Sequence, residues 1–368
     1  MPAKGAAAVN RKQIVPAGNR IRVLVVDDSV VIRRLVADVL EQDPEIEVVG
    51  VAANGAIALA QIPHKNPDLV TLDVEMPEMD GLETLRRIRK EYPGTRVVMF
   101  STLTERGAAV TFEALALGAD DYVAKASNVG SLHVSMAKLK EELIPKIKQF
   151  FLPPSSAPPK PAPAVAPRVG RRPRPFRPSV VAIGVSTGGP NALGEIVPLF
   201  PSDFALPVLL VQHMPPAFTA LLAERLQSVA KLRVKEAVAG EPVESATIYV
   251  APGGYHMEVA WWDGRPVIHL HQGPPENSCR PAVDVLFRSI ERVYGGAALA
   301  VVLTGMGEDG CRGVEALKAR GAYVIAQDEA TSVVWGMPGA VVRRGLADAV
   351  LPLDRIVPEI LARVAARR

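Results

Sequence analysis

Twice along the chain, short runs of valine, isoleucine and leucine alternate with stretches of helical period, and this alternation restricts the possible folds severely. From Ile21 to Lys125 the runs IRVLVVDD, IEVVGVA, DLVTLDV, TRVVMFS and DDYVAK read as five strands. Between them, segments such as VIRRLVADVLEQ and GLETLRRIRKEY carry apolar residues at helical spacing. After Val180 the pattern returns in VVAIGV, PVLLVQH, ATIYVAP, ALAVVLTG and GAYVIAQD, with helices expected over FTALLAERLQ, AVDVLFRSIERV and GVEALKAR. Strands apolar on both faces, separated by helices, form parallel sheets covered on both sides. The expected fold is therefore α/β, with two doubly wound, mostly parallel sheets. Within the second, HMEVAWWDGRPVIHL alternates around Asp263 and Gly264 and predicts a β-hairpin insertion, with Trp261 and Trp262 as packing residues.

The two halves are separated by LPPSSAPPKPAPAVAPRVGRRPRPFRPS, which holds ten prolines and few core-forming residues. Such a segment is extended, with polyproline II character, and semi-rigid. The expected organisation is a disordered lead-in at 1–20, a first domain at 21–150, a linker at 151–178 and a second domain at 179–368. The chain's net charge of +3 belongs to the linker, because residues 152–178 carry six basic side chains and no acid. The folded parts are then mildly acidic. With Phe176 the only aromatic of residues 152–178, the linker reads as a solvated tether and not as a nucleic-acid site. No apolar run is long enough to span a bilayer, and MPAKGAAAVNRKQIVPAGNR has no apolar core of a secretory signal. Cys279 and Cys311 make neither a disulfide framework nor a metal-site spacing. The expectation is a cytoplasmic chain without membrane insertion.

In doubly wound sheets the working groups lie beyond the C-terminal ends of the strands. In the first half those ends carry Asp27 and Asp28, Asp73, Ser101 and Lys125. Taken alone, Asp27 and Asp28 are ordinary turn or cap residues. All five positions at strand ends form a set, and carboxylates gathered there repel unless a cation sits among them. Oxygen-only ligands with an open position suit Mg²⁺. One carboxylate can then attack a phosphoryl group while Lys125 and the Ser101 hydroxyl hold its oxygens.

VLVVDDS, LDVEMPEMDG, MFST and DDYVAK together resemble the receiver domain of two-component response regulators, with its flavodoxin-like fold. The resemblance implies Asp73 as phosphoacceptor, Asp27 and Asp28 in the Mg²⁺ pocket, and a metal contact from the Glu75 backbone carbonyl. It also implies Ser101 as switch hydroxyl and Lys125 as the pocket lysine. One departure is Ala126, where the family usually has proline after the lysine.

In the second half VVAIGVSTGGP runs a buried strand into a helix through serine, threonine and two glycines. That turn presents the Ser186 hydroxyl beside backbone N–H groups able to hold an oxyanion, Thr187 among them. A phosphate-binding or purely structural turn has the same spacing, although the Gly-Lys-Ser/Thr of a P-loop is missing. His213 closes VLLVQH, and Asp309 follows in TGMGEDG, whose glycines allow an oxyanion-binding N–H near Met306. Serine, a neutral imidazole and an orienting carboxylate are the parts of an acyl-transfer site. Their chain order and the absent Gly-x-Ser-x-Gly elbow set the chain apart from α/β-hydrolases. Each residue taken singly has a structural reading, and His256 competes with His213. His269 and His271 sit two apart on a strand, where packed or solvent-facing histidines are expected in the absence of a third metal ligand.

The motifs GVSTGGP, QHMP, YVAPGGYHM, RPAVDVLF, LTGMGEDG and VWGMPGAV, in that order, resemble the catalytic domain of the chemotaxis protein-glutamate methylesterases. The resemblance implies Ser186 as nucleophile, His213 as base and acid and Asp309 as its orienting carboxylate. It implies a phosphorylation-activated hydrolase that removes methyl esters from receptor glutamates, releases methanol and also deamidates glutamines. Mg²⁺ is expected for receiver phosphorylation and no cofactor for the ester chemistry. Expected partners are the cytoplasmic helices of methyl-accepting chemoreceptors and a chemotaxis histidine kinase. A receiver switching a DNA-binding module is the competing class, but no helix-turn-helix or basic recognition helix follows the linker. When unphosphorylated, the receiver is expected to inhibit by packing over Ser186.

Overall fold

β1 (Ile21–Val26) pairs in parallel with β2 (Ile46–Ala52) on one side and β3 (Leu69–Asp73) on the other. β4 (Arg96–Thr102) and β5 (Asp121–Lys125) complete a five-stranded sheet of order β2-β1-β3-β4-β5. The connections are α1 (Val30–Leu40), α2 (Gly55–Lys65), α3 (Gly81–Glu91) and α4 (Glu105–Ala116), and α5 (Leu132–Lys148) follows. The strand order reverses between β1 and β3, and the crevice at that reversal is where doubly wound sheets bind ligands. Three helix starts along this edge are capped by side chains. Ser29 Oγ accepts from Ile32 N (3.4 Å), Asn54 Oδ1 from Ile57 N (2.9 Å) and Asp80 Oδ1 from Glu83 N (2.8 Å).

This computed structural model describes residues 20–102, 104–125, 132–151 and 176–365. The lead-in at 1–19, Ala126 and linker residues 152–175 lie outside the described residues, and so does the expected consequence of alanine after Lys125. The chain divides into two compact units, one of residues 1–101 and 117–154, the other of 102–116 and 155–368.

The second unit is built on β6 (Val180–Val185), followed by α6 (Gly189–Ile196) and a short 3₁₀ turn at Val197–Leu199. Next come β7 (Val208–Gln212), α7 (Pro216–Val229), β8 (Arg233–Glu236) and β9 (Thr247–Val250). The hairpin β10 (His256–Trp262) and β11 (Arg265–His271) precedes α8 (Val283–Tyr294). β12 (Ala298–Val302), α9 (Cys311–Ala319), β13 (Tyr323–Gln327), α10 (Met337–Arg343), β14 (Ala349–Leu351) and α11 (Leu353–Ala365) finish the chain. Seven strands form a parallel sheet of order β14-β13-β12-β6-β7-β9-β8. β6 and β7 are buried throughout, as their continuous apolar runs require.

β8 and β14 escape the sequence pattern. Both are edge strands, four and three residues long, and RVKE carries charge where an inner strand would be apolar. The hairpin is present, turning at Asp263 (φ 49°) and Gly264 (φ 74°). Met257, Val259 and Ile268 join the core that includes Leu286, Phe287 and Ile290 of α8. The expectation of packing tryptophans is corrected. Trp261 and Trp262 are 58% and 73% exposed, because they flank the turn beyond the reach of that core.

Candidate active site

At the switch point of the first sheet, Asp27 follows β1 and Asp73 ends β3, and both are buried, whereas Asp28 is exposed. One carboxylate oxygen from each of the three lies within 4.8 Å of the others. Ligands of an octahedral Mg²⁺ at about 2.0–2.1 Å stand about 3 Å apart when adjacent and about 4.2 Å when opposite. The all-oxygen donor set therefore fits one such ion with small side-chain adjustment. Lys125 Nζ, from the end of β5, lies 2.8 Å from Asp27 Oδ2 and 2.7 Å from Asp73 Oδ2. Burial pushes the Asp73 carboxyl up to about 6; the Asp27 charge adds to this, while Lys125 and the Glu75 backbone N–H oppose it. Ser101 is buried next to the last residue of β4.

In the second sheet β7, β6 and β12 are neighbours, and their C-terminal ends deliver His213, Ser186 and the loop carrying Asp309. Val185 is in register with Gln212, so Ser186 and His213 leave the sheet side by side. His213 N–H donates to Val185 O (3.2 Å), and Gln212 Nε2 donates to Ser186 O (2.9 Å). Gly188 adopts φ +77° at the start of α6, a conformation that disfavours side chains, which accounts for the glycine after Ser-Thr. Gly305 approaches from the other side. A Cβ built there would stand 2.8 Å from Ser186 Cβ, so only glycine lets the TGMG loop reach the serine. Met306 follows, and among the described residues no acceptor is assigned to its N–H. Thr187 is buried, and its carbonyl accepts from Thr304 Oγ1 at 2.9 Å.

His213 Nε2 and Asp309 Oδ2 are 2.7 Å apart. The carboxylate therefore takes Nε2 and leaves Nδ1 as the nitrogen available to a hydroxyl. No hydrogen bond between Ser186 Oγ and the ring is formed among the described residues; such bonds often tighten only with substrate. Asp309 is buried yet held below the usual carboxylate range. Burial works against ionisation, but the hydrogen bond and charge of His213 and the N–H groups of Val283 and Asp284 outweigh it. For His213, burial pulls the pKa down, but the adjacent Cys279 side chain and Asp309 together raise it above the ordinary histidine range.

Sequence reasoning missed Cys279, Gln212, Asn277 and Asp284 as parts of this site. Cys279 acts on the charge of His213, and Gln212 ties the serine turn to β7. Asn277 Nδ2 donates to Asp309 Oδ1 (2.7 Å) and to Asp284 Oδ2 (3.1 Å). No periodicity marks these roles, although the Asn-Ser pair before Cys279 is a turn signal. His256, His269 and His271 stand elsewhere. His256 is buried, its Nε2 is 3.0 Å from Pro274 O, and burial lowers its pKa. His269 and His271 face Glu258 across the hairpin at 3.4 and 3.7 Å. Among the described residues, the only side-chain cluster with metal-ligand spacing is Asp27, Asp28 and Asp73.

Fold and sites define a response regulator: an acidic receiver pocket in one unit, and in the other an α/β domain with serine, histidine and aspartate at one sheet edge. Two family models match accordingly, the response regulator receiver domain over residues 23–137 and the CheB methylesterase over residues 181–360. A protein-glutamate methylesterase/protein-glutamine glutaminase of Trichodesmium erythraeum is 49% identical over 356 residues, covering 94% of this chain and 99% of that one. A Nocardioides protein of the same name is 51% identical over 362 residues, covering 95% and 96%. The crystal structure of the Thermotoga maritima CheB methylesterase catalytic domain matches with a TM-score of 0.50 at 43% identity, covering 50% of this chain and 98% of that one. The chain belongs to the protein-glutamate methylesterase/protein-glutamine glutaminase family.

Proposed function

We propose that this chain is a phosphorylation-activated hydrolase that removes methyl esters from glutamate side chains of chemoreceptors and deamidates their glutamines. The observation that carries the chemistry is the 2.7 Å His213–Asp309 contact beside Ser186 at adjoining strand ends. Ser186 Oγ attacks the ester carbonyl carbon, and its proton passes to His213 Nδ1. The tetrahedral oxyanion lies against backbone N–H groups of the Thr187 and Met306 loops. Collapse breaks the C–O bond to the methoxy group, which leaves as methanol with the proton returned from His213. Water, deprotonated by the same ring, then attacks the acyl carbon; the bond to Ser186 Oγ breaks, the ring returns the proton to that oxygen, and the product leaves as a glutamate carboxyl group. With an amide the same steps expel ammonia.

Asp309 stabilises the imidazolium formed in both halves. Because Asp309 and Cys279 raise the His213 pKa, the neutral base is depleted as pH falls through a value above the ordinary 6.5 or so. kcat/KM for methanol release should therefore keep rising above pH 7. In Asp309→Asn the acid limb should move to lower pH while the plateau falls. A limb unmoved by that substitution would remove Asp309 as the partner of the base.

In the receiver unit Asp73 is the phosphoacceptor. Asp27, Asp28 and Asp73, with the Glu75 carbonyl, would hold Mg²⁺, whose charge offsets that of an incoming phosphoryl group. Lys125 and Ser101 hold its oxygens. Its source is a chemotaxis histidine kinase, and the substrate is a cytoplasmic helix of a methyl-accepting receptor. No helix among the described residues is long and apolar enough to cross a membrane, which is compatible with a cytoplasmic location. The proposed domains are 21–150 and 179–368, joined by a linker at 151–178.

Unphosphorylated receiver restrains access to Ser186, and the proline-rich linker keeps its local concentration high. Phosphorylation relieves this by an allosteric coupling of about 1–3 kcal/mol, or roughly 5- to 150-fold. The fragment 179–368 should release methanol faster than the unphosphorylated full chain and ignore small phosphodonors. A fragment no faster than the unphosphorylated chain would make the receiver an activator instead.

A further inference from the structure

The loop before α8 makes a clip. Glu276 and Cys279 exchange backbone hydrogen bonds of 3.1 and 2.9 Å around Asn277 (φ 52°) and Ser278 (φ 62°). Two left-handed residues in succession form a type I′ turn, and Asn is among the few side chains that tolerate its first position. Arg288 of α8 grips the Glu276 carboxylate at 2.7 and 2.5 Å, fixing the turn to the helix. Although Asn277 as a whole is exposed, its carboxamide reaches inward to two buried carboxylates.

Those carboxylates are Asp309 and Asp284, only 2% and 1% exposed. Asp309 Oδ2 accepts from Val283 N (2.6 Å), and Oδ1 from Asp284 N (3.0 Å) and Gly310 N (2.9 Å). Asp284 Oδ1 accepts from Gly313 N (2.7 Å). Asn277 Nδ2 is the side-chain donor that touches both acids. Without it, Asp309 Oδ1 and Asp284 Oδ2 would face each other's charge across a buried gap, and each acid would ionise at the other's expense.

We propose that Asn277 is a positioning residue of the hydrolytic site, its amide holding the Asp309 carboxylate in line with His213 Nε2 and shielding it from Asp284. This rests on the assignment of Asp309 as orienting carboxylate. The amide acts on Asp309 and not on substrate, so its removal should change kcat and leave KM nearly untouched.

The test is methanol release by the full phosphorylated chain, with kcat, KM and pH profile measured for substitutions at 277. Asn277→Gly keeps the left-handed backbone while deleting the amide, and Asn277→Asp keeps both backbone and shape while replacing the donor by a third carboxylate. Asn277→Gly should lower kcat about 10-fold or more, the scale of a hydrogen bond to a charged group, with KM within about 2-fold. Its acid limb should move to higher pH, because a less compensated Asp309 holds the imidazolium more firmly. Asn277→Asp should be slower still at neutral pH. In an Asp309→Asn background, Asn277→Gly should cost less than about 2-fold further, since both act as one unit. An unchanged kcat in Asn277→Gly, with Asp309→Asn crippled, overturns the positioning role alone. A loss that persists in full in the Asp309→Asn background overturns it equally. Wild-type kcat in Asp309→Asn instead sinks the assignment on which the proposal rests.

Discussion

Replacing Ser186 by alanine is expected to lower methanol release from methylated receptor by about 10⁴-fold or more, the scale on which loss of a serine nucleophile is felt. What remains reflects substrate binding and oxyanion stabilisation without a covalent path. The fold should survive, because Ser186 is partly exposed and the hydrogen bonds that fix its turn use its backbone. His213→Ala should be comparably severe, since the same ring serves both proton transfers. His256→Ala makes the internal control: its ring bonds to Pro274 O and shares no contact with Asp309 among the described residues. Turnover should stay within about 10-fold of wild type for that variant, measured as methanol formed by mass spectrometry or gas chromatography. Near wild-type turnover in Ser186→Ala removes the nucleophile assignment, and the reverse ranking of the histidines removes His213.

The sheet edges were legible in the sequence for a physical reason. Inner parallel strands must be apolar on both faces, so the polar residues that close an apolar run mark its end, and Asp73, Ser186 and His213 stand at such ends. Asp27 and Asp309 needed only the next residues of the same loops. β8 and β14 stayed hidden because edge strands need not be apolar, and RVKE looks like any surface segment. The tryptophans misled because bulky residues in an alternating run usually face a core, whereas a hairpin tip extends past it. Asn277 was illegible for a different reason. Its partners Asp284 and Asp309 are 7 and 32 residues away, and nothing in local periodicity records that a turn will aim its amide at both. The nitrogen choice on His213 was equally closed. It rests on a 2.7 Å contact between residues 96 positions apart in the chain.

Asp73→Asn should abolish phosphoryl uptake altogether, because the neutral amide oxygen cannot displace a leaving group from phosphorus as a carboxylate does. In the site around it, Lys125 Nζ bridges Asp27 Oδ2 and Asp73 Oδ2 at 2.8 and 2.7 Å. One lysine against Asp27, Asp28 and Asp73 leaves an excess of negative charge before any phosphoryl dianion arrives. Uptake from acetyl phosphate should therefore need Mg²⁺ and vanish in EDTA. Phosphate incorporation read on a Phos-tag gel or by intact mass should be one group per wild-type chain with Mg²⁺ and none for Asp73→Asn. Esterase activity of that variant should equal the unphosphorylated basal rate and fail to rise with phosphodonor, while Ser186→Ala should still take up phosphate. That crossed pattern separates the two sites, since each substitution silences one chemistry and leaves the other intact. Incorporation persisting in Asp73→Asn would move the acceptor elsewhere, and incorporation persisting in EDTA would leave Lys125 to neutralise the pocket without a metal.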